Sequence, residues 1–282
     1  MEALALDLRG RLAGRAIATL HLAQFSALKT YDPPLTALSG GLVGDVTRHG
    51  KFLDLEVSGL HLVLHLARAG WVRWRDEVPA LPPRPSPKST LAARVVLDDD
   101  TGLDVTEAGT KKSLAIYVVR DPAQVEGIAR LGPDPLAEDF TRDTLARILA
   151  EAGRAQVKGV LRHQGTIAGI GNAYSDELLH AARMSPFKPA SSLTDADVDT
   201  LYAAIRTTLG DAVARSRGLA ASELKGEKKS HLAVHGRTGQ PCPVCADTVR
   251  EVSFADSSLQ YCPTCQTGGK PLADRRMSRL LK

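Results

Sequence analysis

The stretch Gly169–Glu177, which reads GIGNAYSDE, combines a glycine turn with the start of a helix. Gly169 and Gly171 allow a tight turn whose backbone N–H groups remain available to a ligand. Asn172 follows at the first turn of the helix, where N–H groups and the helix dipole favour an anion. The functional prediction is a phosphate held by amide groups and a short polar side chain, and the alternative is a plain N-cap without a ligand.

Helical spacing continues on both sides of this stretch. Apolar residues recur at helical intervals over 141–152, 173–182 and 194–216. The helical pattern begins after Leu131–Leu136, which reads LGPDPL, so we place a domain boundary near residue 130.

Upstream of this boundary the sequence is typical of β-structure. Leu60–Leu66 alternates apolar and polar residues, and Phe52–Val57 precedes it across a Ser-Gly turn. Further strands are expected over 16–22, 93–97 and 114–119, and Met1–Leu12 is an amphipathic helix. Val78–Pro87 holds five of the sixteen prolines and is expected to be a surface loop. We therefore expect an α+β protein that opens with one helix and an N-terminal β-sandwich.

Composition and charge narrow the class of protein. Hydrophobic residues make up 43% and charged residues 24%, which is ordinary for a globular chain. No apolar stretch is long enough to cross a bilayer, and no secretory signal is visible. We expect a cytoplasmic, nucleoid-associated protein without membrane contact.

All four cysteines lie near the C-terminus, as Cys242-Pro-Val-Cys245 and Cys262-Pro-Thr-Cys265. This spacing is typical of a four-thiolate zinc ribbon, with a hairpin over 248–261 between the two pairs. Disulfides are the competing explanation, but a reducing cytosol disfavours them. Four sulfur ligands leave no open coordination position, so the Zn²⁺ is expected to be structural.

Basic residues surround this cysteine segment. The tail from Lys270 to Lys282 carries five basic residues against one acidic residue, and Arg237 belongs to a second cluster with Lys225, Lys228 and Lys229. A polyanion is the partner that such clusters favour, and a solvated surface is the alternative.

Taken together, the Gly169–Glu177 stretch, the LGPDPL segment and the paired cysteines resemble the formamidopyrimidine-DNA glycosylase and endonuclease VIII family. The resemblance extends from about residue 40 to the end. It implies three segments: a β-sandwich glycosylase domain (1–130), a helix-two-turn-helix DNA-binding domain (131–231) and a zinc finger with a basic tail (232–282). It also implies base-excision repair by a monomer that acts on double-stranded damaged DNA.

Several residue roles follow from the resemblance. Asn172 and Gly171 match the turn that contacts the phosphates flanking the lesion, and Lys158 matches a residue near them. Lys51 matches a lysine that assists catalysis near the abasic sugar, and a solvated strand-edge residue is the alternative.

The chain departs from the family at its start. Family enzymes begin with a proline whose amine attacks the sugar, followed by glutamates that move protons. Here Met1 matches the valine of that motif and Glu2 the acidic residue after it, so the proline and both motif glutamates would lie upstream. We expect a start site assigned too late, and the alternative is a catalytically inactive damaged-DNA-binding protein of the same fold. An unrelated zinc-ribbon transcription or translation factor is a third possibility.

Two further departures concern the damaged base. Arg68 replaces the methionine that fills the gap left by the flipped base, and Thr106–Lys112 replaces an Arg-Arg-Phe loop. Ser257 replaces an arginine of the zinc finger. The hypothesis is a lesion other than 8-oxoguanine opposite cytosine, with Arg68, Lys111 or Lys112 as substitute wedges or phosphate contacts.

Overall fold

The computed structural model describes residues 1–80, 89–255 and 257–273. Most of the proline-rich segment and most of the predicted basic tail therefore lie outside the described residues. Contacts divide the chain into two units, the first of residues 1–130 and 216–226, the second of residues 131–215 and 227–282. The predicted segments 131–231 and 232–282 are thus parts of one unit, apart from 216–226.

The first unit opens with helix α1 and contains two four-stranded antiparallel sheets, as predicted for a β-sandwich with a leading helix. One sheet has the strand order β1-β6-β7-β5, and the other has the order β2-β3-β4-β8. Their bounds are α1 Glu2–Leu12, β1 Ile17–Leu22, β2 Val43–His49, β3 Phe52–Val57, β4 Leu60–His65, β5 Gly70–Arg75, β6 Leu91–Leu97, β7 Gly102–Glu107 and β8 Ala115–Val119. A short helix α2, Glu126–Ala129, follows them.

Apolar residues from both sheets and from α1 meet in one core. Alternate residues of β3, Leu53, Leu55 and Val57, are each at most 1% exposed, and they pack with side chains of β7 and α1. Because strand side chains alternate between faces and helical ones recur every three to four residues, one face of each element is buried here. The alternation in the sequence therefore determines this core.

Strands β2, β5 and β7 were not predicted. In β7 the charged Asp104 interrupts the apolar pattern, yet it is 2% exposed. Its carboxylate accepts hydrogen bonds from Arg94 Nε at 2.6 Å and Arg75 Nε at 2.8 Å. Burial opposes the charged carboxylate, but these two arginines lower its pKa. A paired buried charge is compatible with a central strand that the apolar pattern misses.

The second unit contains helices and a short hairpin. The helices are α3 Arg142–Ala152, α4 Val157–Arg162, α5 Asn172–Ala181 and α6 Asp195–Ser216, and the hairpin is β9 Arg250–Ser253 with β10 Ser258–Tyr261. Helix α7, Leu224–Ser230, begins in the first unit and ends in the second, and α8, Pro263–Thr267, follows the hairpin. Phe140, Leu161, Leu178 and Leu201 lie at the centre of the helical core. No helix within the described ranges is long and apolar enough to cross a membrane.

Candidate nucleic-acid interface and zinc centre

The turn before α5 is shaped by backbone geometry and by one glutamine. Gly169 has a φ of +83°, a conformation that favours glycine. Gln164 Oε1 accepts the N–H of Gly169 at 3.0 Å, and Gln164 Nε2 donates to the carbonyl of Ile170 at 2.8 Å. Gly171 is the N-cap of α5, so the N–H groups of the first helical turn have no intrahelical acceptor. The predicted glycine turn is therefore present, and Gln164 braces it.

Asn172 ties this turn to the cysteine-bearing hairpin. Its Nδ2 donates to the carbonyl of Ser258 in β10 at 2.7 Å. Its Oδ1 is buried and has no hydrogen-bond partner among the described residues. Asn172 is therefore not the plain N-cap of the alternative prediction, because Gly171 holds that position and the Asn172 side chain joins α5 to β10.

Lys158 lies beneath the turn and is 5% exposed. Its Nζ donates to Asp176 Oδ1 at 2.6 Å, to Ser175 Oγ at 2.7 Å and to the Asn172 carbonyl at 3.4 Å. Burial lowers the pKa of Lys158, and the Asp176 carboxylate opposes that change. Lys158 thus supports the turn from the buried side, by donating a hydrogen bond to the backbone carbonyl of Asn172.

Two acidic residues of α5 bind the segment that leads to the first cysteine pair. Asp176 Oδ2 accepts from His235 Nδ1 at 2.7 Å and from the N–H of Gln260 at 3.2 Å. The Glu177 carboxylate accepts three successive backbone N–H groups at 2.6–3.0 Å, those of Ala233, Val234 and His235. Both buried carboxylates therefore have hydrogen-bond donors for their oxygens, which compensates for the loss of contact with water.

Both acids lie in the Gly169–Glu177 stretch, but no role was predicted for them from the sequence. Asn172, Asp176 and His180 are spaced by four residues and therefore share one face of α5. Each contacts the cysteine-bearing segment, and we call this set the α5 polar stripe. The four-residue spacing was the signal that could have identified it.

The four cysteine sulfurs form a compact group whose ligand atoms lie within 4.8 Å of one another. Cys242 and Cys265 sulfurs are 3.9 Å apart, and those of Cys245 and Cys262 are 3.3 Å apart. Sulfurs bound tetrahedrally at about 2.3 Å from zinc lie about 3.8 Å from one another, so the group fits a zinc ion. The site is a structural zinc centre, as predicted.

Cys242 receives several hydrogen bonds. The N–H of Val244 points at its sulfur at 3.5 Å, and His180 Nε2 lies 3.2 Å from it. Burial opposes ionisation of the thiol, but the backbone N–H groups and His180 outweigh it and lower the pKa of Cys242. A thiolate is the form that binds zinc.

In the first unit, Lys51 follows the β2–β3 turn at Gly50, which has a φ of +56°. Arg48 braces this turn by donating from Nη1 to the Gly50 carbonyl at 3.0 Å, and its Nε donates to Glu2 at 2.7 Å. Burial lowers the pKa of His65, and the charge of Lys51 lowers it further. Lys51 is thus half-buried on a rigid turn beside an imidazole whose neutral form is favoured.

The other cations assigned from the sequence differ in their surroundings. Arg68 and Lys111 are exposed in the turns after β4 and β7. Lys112 Nζ donates to the carbonyl of Glu107 at 2.5 Å, within its own loop. Arg237 donates to the Leu232 carbonyl at 3.2 Å and to Gln240 Oε1 at 3.0 Å. Lys112 and Arg237 therefore already have acceptors from the protein.

A cleft of about 720 Å³ in the first unit was not predicted. It contains both tryptophans of the chain, Trp71 and Trp74, together with Arg11, Arg73, Arg75 and Lys225. Trp71 Nε1 donates to the Ala221 carbonyl at 3.0 Å, and Lys225 Nζ lies 4.4 Å from the Trp71 ring centre. These contacts hold residues 216–226 against β5, and no sequence pattern indicated them.

Comparison with known families matches the whole organisation of the chain. The formamidopyrimidine-DNA glycosylase N-terminal domain matches residues 1–112, and the helix-two-turn-helix domain of the same glycosylase matches residues 131–223. A zinc finger found in that glycosylase and in isoleucyl-tRNA synthetase matches residues 239–268.

Individual proteins that are similar to this chain point to the same family. Formamidopyrimidine-DNA glycosylase of Symbiobacterium thermophilum is 34% identical over 279 residues, which cover 94% of this chain and 88% of that protein. An uncharacterized formamidopyrimidine-DNA glycosylase-like protein of Mycobacterium tuberculosis is 62% identical over 152 residues, 54% of this chain and 94% of that protein. The crystal structure of the MutM (Fpg) protein of Thermus thermophilus superposes with a TM-score of 0.79 at 30% identity, covering 96% of this chain and 98% of that one. The chain therefore belongs to the formamidopyrimidine-DNA glycosylase family.

Proposed function

We propose that this protein is a base-excision-repair glycosylase and abasic-site lyase that acts on damaged bases in double-stranded DNA. The observation that carries the proposal is the Gly169–Asn172 turn, braced by Gln164 and tied by Asn172 to the zinc-bearing hairpin. Such a turn offers aligned N–H groups to a backbone phosphate. Lactococcus lactis formamidopyrimidine-DNA glycosylase has this fold in a complex with DNA that contains an abasic site, which agrees with the proposal.

The proposed chemistry uses an amine and Lys51. As the resemblance implies, family enzymes use the secondary amine of an N-terminal proline, which attacks the sugar C1′, expels the damaged base and leaves an iminium. β-Elimination then cleaves the strand. Lys51 assists near the abasic sugar, since Arg48 braces the turn before it and the residue is only half-buried.

The proposed lesion is one other than 8-oxoguanine opposite cytosine. Arg68 and Lys111 are exposed on turns of the first unit, where the family places residues that fill the gap in the duplex. Lys112 lies in the same turn as Lys111, and its ammonium donates to the Glu107 carbonyl. Efficient excision of 8-oxoguanine from a duplex opposite cytosine would contradict this part of the proposal.

Borohydride trapping on abasic DNA tests the chemistry. Two forms of the protein are compared, the chain from Met1 and a chain extended by the codons upstream of Met1. We expect a covalent complex with the extended form, weakened by Lys51→Met and unaffected by Lys29→Met, a lysine whose Nζ donates to the nearby Ser26 carbonyl. Binding without trapping by both forms would favour the alternative, a catalytically inactive damaged-DNA-binding protein.

Duplex binding tests the phosphate contacts. If about six phosphates are contacted, affinity should fall on the order of a thousandfold between 50 and 200 mM salt. Asn172→Ala should weaken binding to intact and abasic duplexes alike, because a phosphate contact carries no sequence information. A flat salt response would argue against the proposed interface.

A further inference from the structure

The last turn of α5 places an imidazole against one zinc ligand. His180 is 5% exposed, and its Nε2 lies 3.2 Å from Cys242 Sγ. A buried imidazole nitrogen needs a hydrogen-bond partner, and the nearest one is this sulfur. Because a zinc-bound thiolate carries no proton, the hydrogen between the two atoms belongs to His180.

We propose that His180 is a positioning residue for the zinc centre, donating an Nε2–H···S hydrogen bond to the Cys242 thiolate. Four thiolates around one divalent ion carry an excess of two negative charges within a small hairpin. Donors to the sulfurs disperse that charge and fix the orientation of each ligand. Backbone N–H groups, that of Val244 among them, donate to the Cys242 sulfur, and His180 supplies a side-chain donor.

His180 is distinct from the ligands themselves. The group of residues whose atoms could hold one ion consists of the four cysteines and does not include His180. The residue also differs from an ordinary core histidine because its position is part of the α5 polar stripe. Asn172 and Asp176, on the same face, bind the same segment through Ser258 and His235.

The stripe connects the zinc centre to the phosphate-binding turn along one helix. Asn172 begins α5 in the turn, and His180 lies near its end at the metal. Loss of the His180 donor should therefore lower zinc affinity directly and weaken phosphate binding at the turn as a secondary effect. The second effect rests on the proposed function, whereas the first does not.

Zinc release to a chromophoric chelator tests the proposal on the full chain. His180→Phe removes the donor and keeps a planar ring, and we expect zinc affinity to fall by about 10–100-fold. His180→Gln places an amide N–H near the position of Nε2 and should remain close to the parent protein. His163→Phe is the control, since that imidazole lies in the same unit but binds Thr166.

Cobalt substitution provides a spectroscopic signature that a merely space-filling role would not change. Without the N–H donor the sulfur becomes richer in electrons, so the sulfur-to-cobalt charge-transfer band of His180→Phe should move to longer wavelength. The band of His180→Gln should stay with the parent. An unshifted band together with parent-like zinc release in His180→Phe would overturn the proposal, as would a parent spectrum typical of three sulfurs and one nitrogen.

A measurement on the unmutated protein covers the case in which His180→Phe does not fold. With ¹¹³Cd in the site, the proton on His180 Nε2 should show scalar coupling to the metal across the hydrogen bond and slow exchange with solvent. Absence of both, in a protein whose four cysteines hold the cadmium, would refute the proposed hydrogen bond. Weaker duplex binding by His180→Phe with parent-like zinc retention would likewise count against it.

Discussion

The β-sandwich of the first unit and the zinc hairpin of the second are both built from antiparallel strands, but they are stabilised by different means. The sandwich encloses one continuous apolar core that takes side chains from α1 and from both sheets. The hairpin has two strands of four residues each. Its buried apolar residues Val252, Leu259 and Tyr261 form one small cluster, and two valines and three of the cysteines form another beside the metal. Two short strands do not form a stable structure alone in water, so the hairpin depends on other interactions.

Those other interactions are the metal, the two small apolar clusters, the α5 polar stripe and the neighbouring Glu177. Asp176 and Glu177 reach the hairpin segment with fully buried or nearly buried carboxylates, and Lys158 neutralises Asp176. Apolar burial in the sandwich depends on many interchangeable side chains, whereas the hairpin depends on a few specific ones. The two regions should therefore respond differently to loss of metal, loss of a buried charge and loss of a methyl-rich side chain.

Zinc removal should give the largest difference between the two regions. Structural zinc contributes about 10–16 kcal/mol of binding free energy in small zinc domains, so chelation should unfold the hairpin and abolish duplex binding. Both tryptophans lie in the first unit, so their fluorescence reports on the sandwich alone. We expect fluorescence unchanged while the hairpin signals are lost in an NMR spectrum. A simultaneous change in tryptophan fluorescence would show that the sandwich also depends on zinc.

Asp176→Ala should be the next largest change. It leaves the Lys158 ammonium buried without its counter-ion and removes an acceptor for His235 and Gln260. Removal of one partner of a buried pair costs about 3–5 kcal/mol, which urea unfolding monitored by zinc release would measure. Asp199→Ala is the matched control, because Asp199 lies on α6 as the exposed partner of Arg142. Its loss should lower the free energy of unfolding by at most about 1 kcal/mol.

Leu55→Ala tests the sandwich, whose stability is expected to depend on apolar burial and not on the metal or a buried charge pair. Leu55 is 0% exposed at the centre of β3, and its truncation should cost about 2–5 kcal/mol by creating a cavity. Leu42→Ala is the control, since Leu42 is 56% exposed and should change stability by less than about 0.5 kcal/mol. Urea unfolding followed by tryptophan fluorescence measures both. If Leu55→Ala releases zinc as readily as Asp176→Ala does, the two regions are not independent.

The same contrast explains what the sequence could and could not predict. Apolar alternation predicted β3 and β4, and cysteine spacing predicted the zinc centre, because each signal is local along the chain. Strand β7 was missed because Asp104 interrupts its pattern and is compensated by Arg94 and Arg75 from other strands. The contact of Trp71 with Ala221 joins residues 150 positions apart, and no local pattern encodes it. Lys158 and Asn172 were singled out, but their buried partners were visible only in three dimensions.

The smallest expected effect lies at a surface cap that belongs to neither the sandwich core nor the polar stripe. Asp197 accepts hydrogen bonds from Lys188 Nζ at 2.9 Å and from the N–H of Thr194 at 2.9 Å at the start of α6. These hydrogen bonds, with that from Lys188 contributing most, lower the pKa of Asp197 to about 2. Because the folded pKa lies below the unfolded one, the stabilisation is present above about pH 4 and is lost as the pH falls towards 2.

Asp197 is partly open to solvent, which screens the interaction, so we expect about 1 kcal/mol from this cap. Asp197→Asn should remove that acid-dependent part from the unfolding of the second unit and leave the tryptophan-reported unfolding of the first unit unchanged. Thermal unfolding between pH 2 and 5, recorded by far-ultraviolet circular dichroism and by fluorescence, separates the two. An equal change in both signals would mean that the loss of stability at this surface cap also affects the first unit. The contrast between a sandwich that is stable without the metal and a hairpin that depends on it would then not hold.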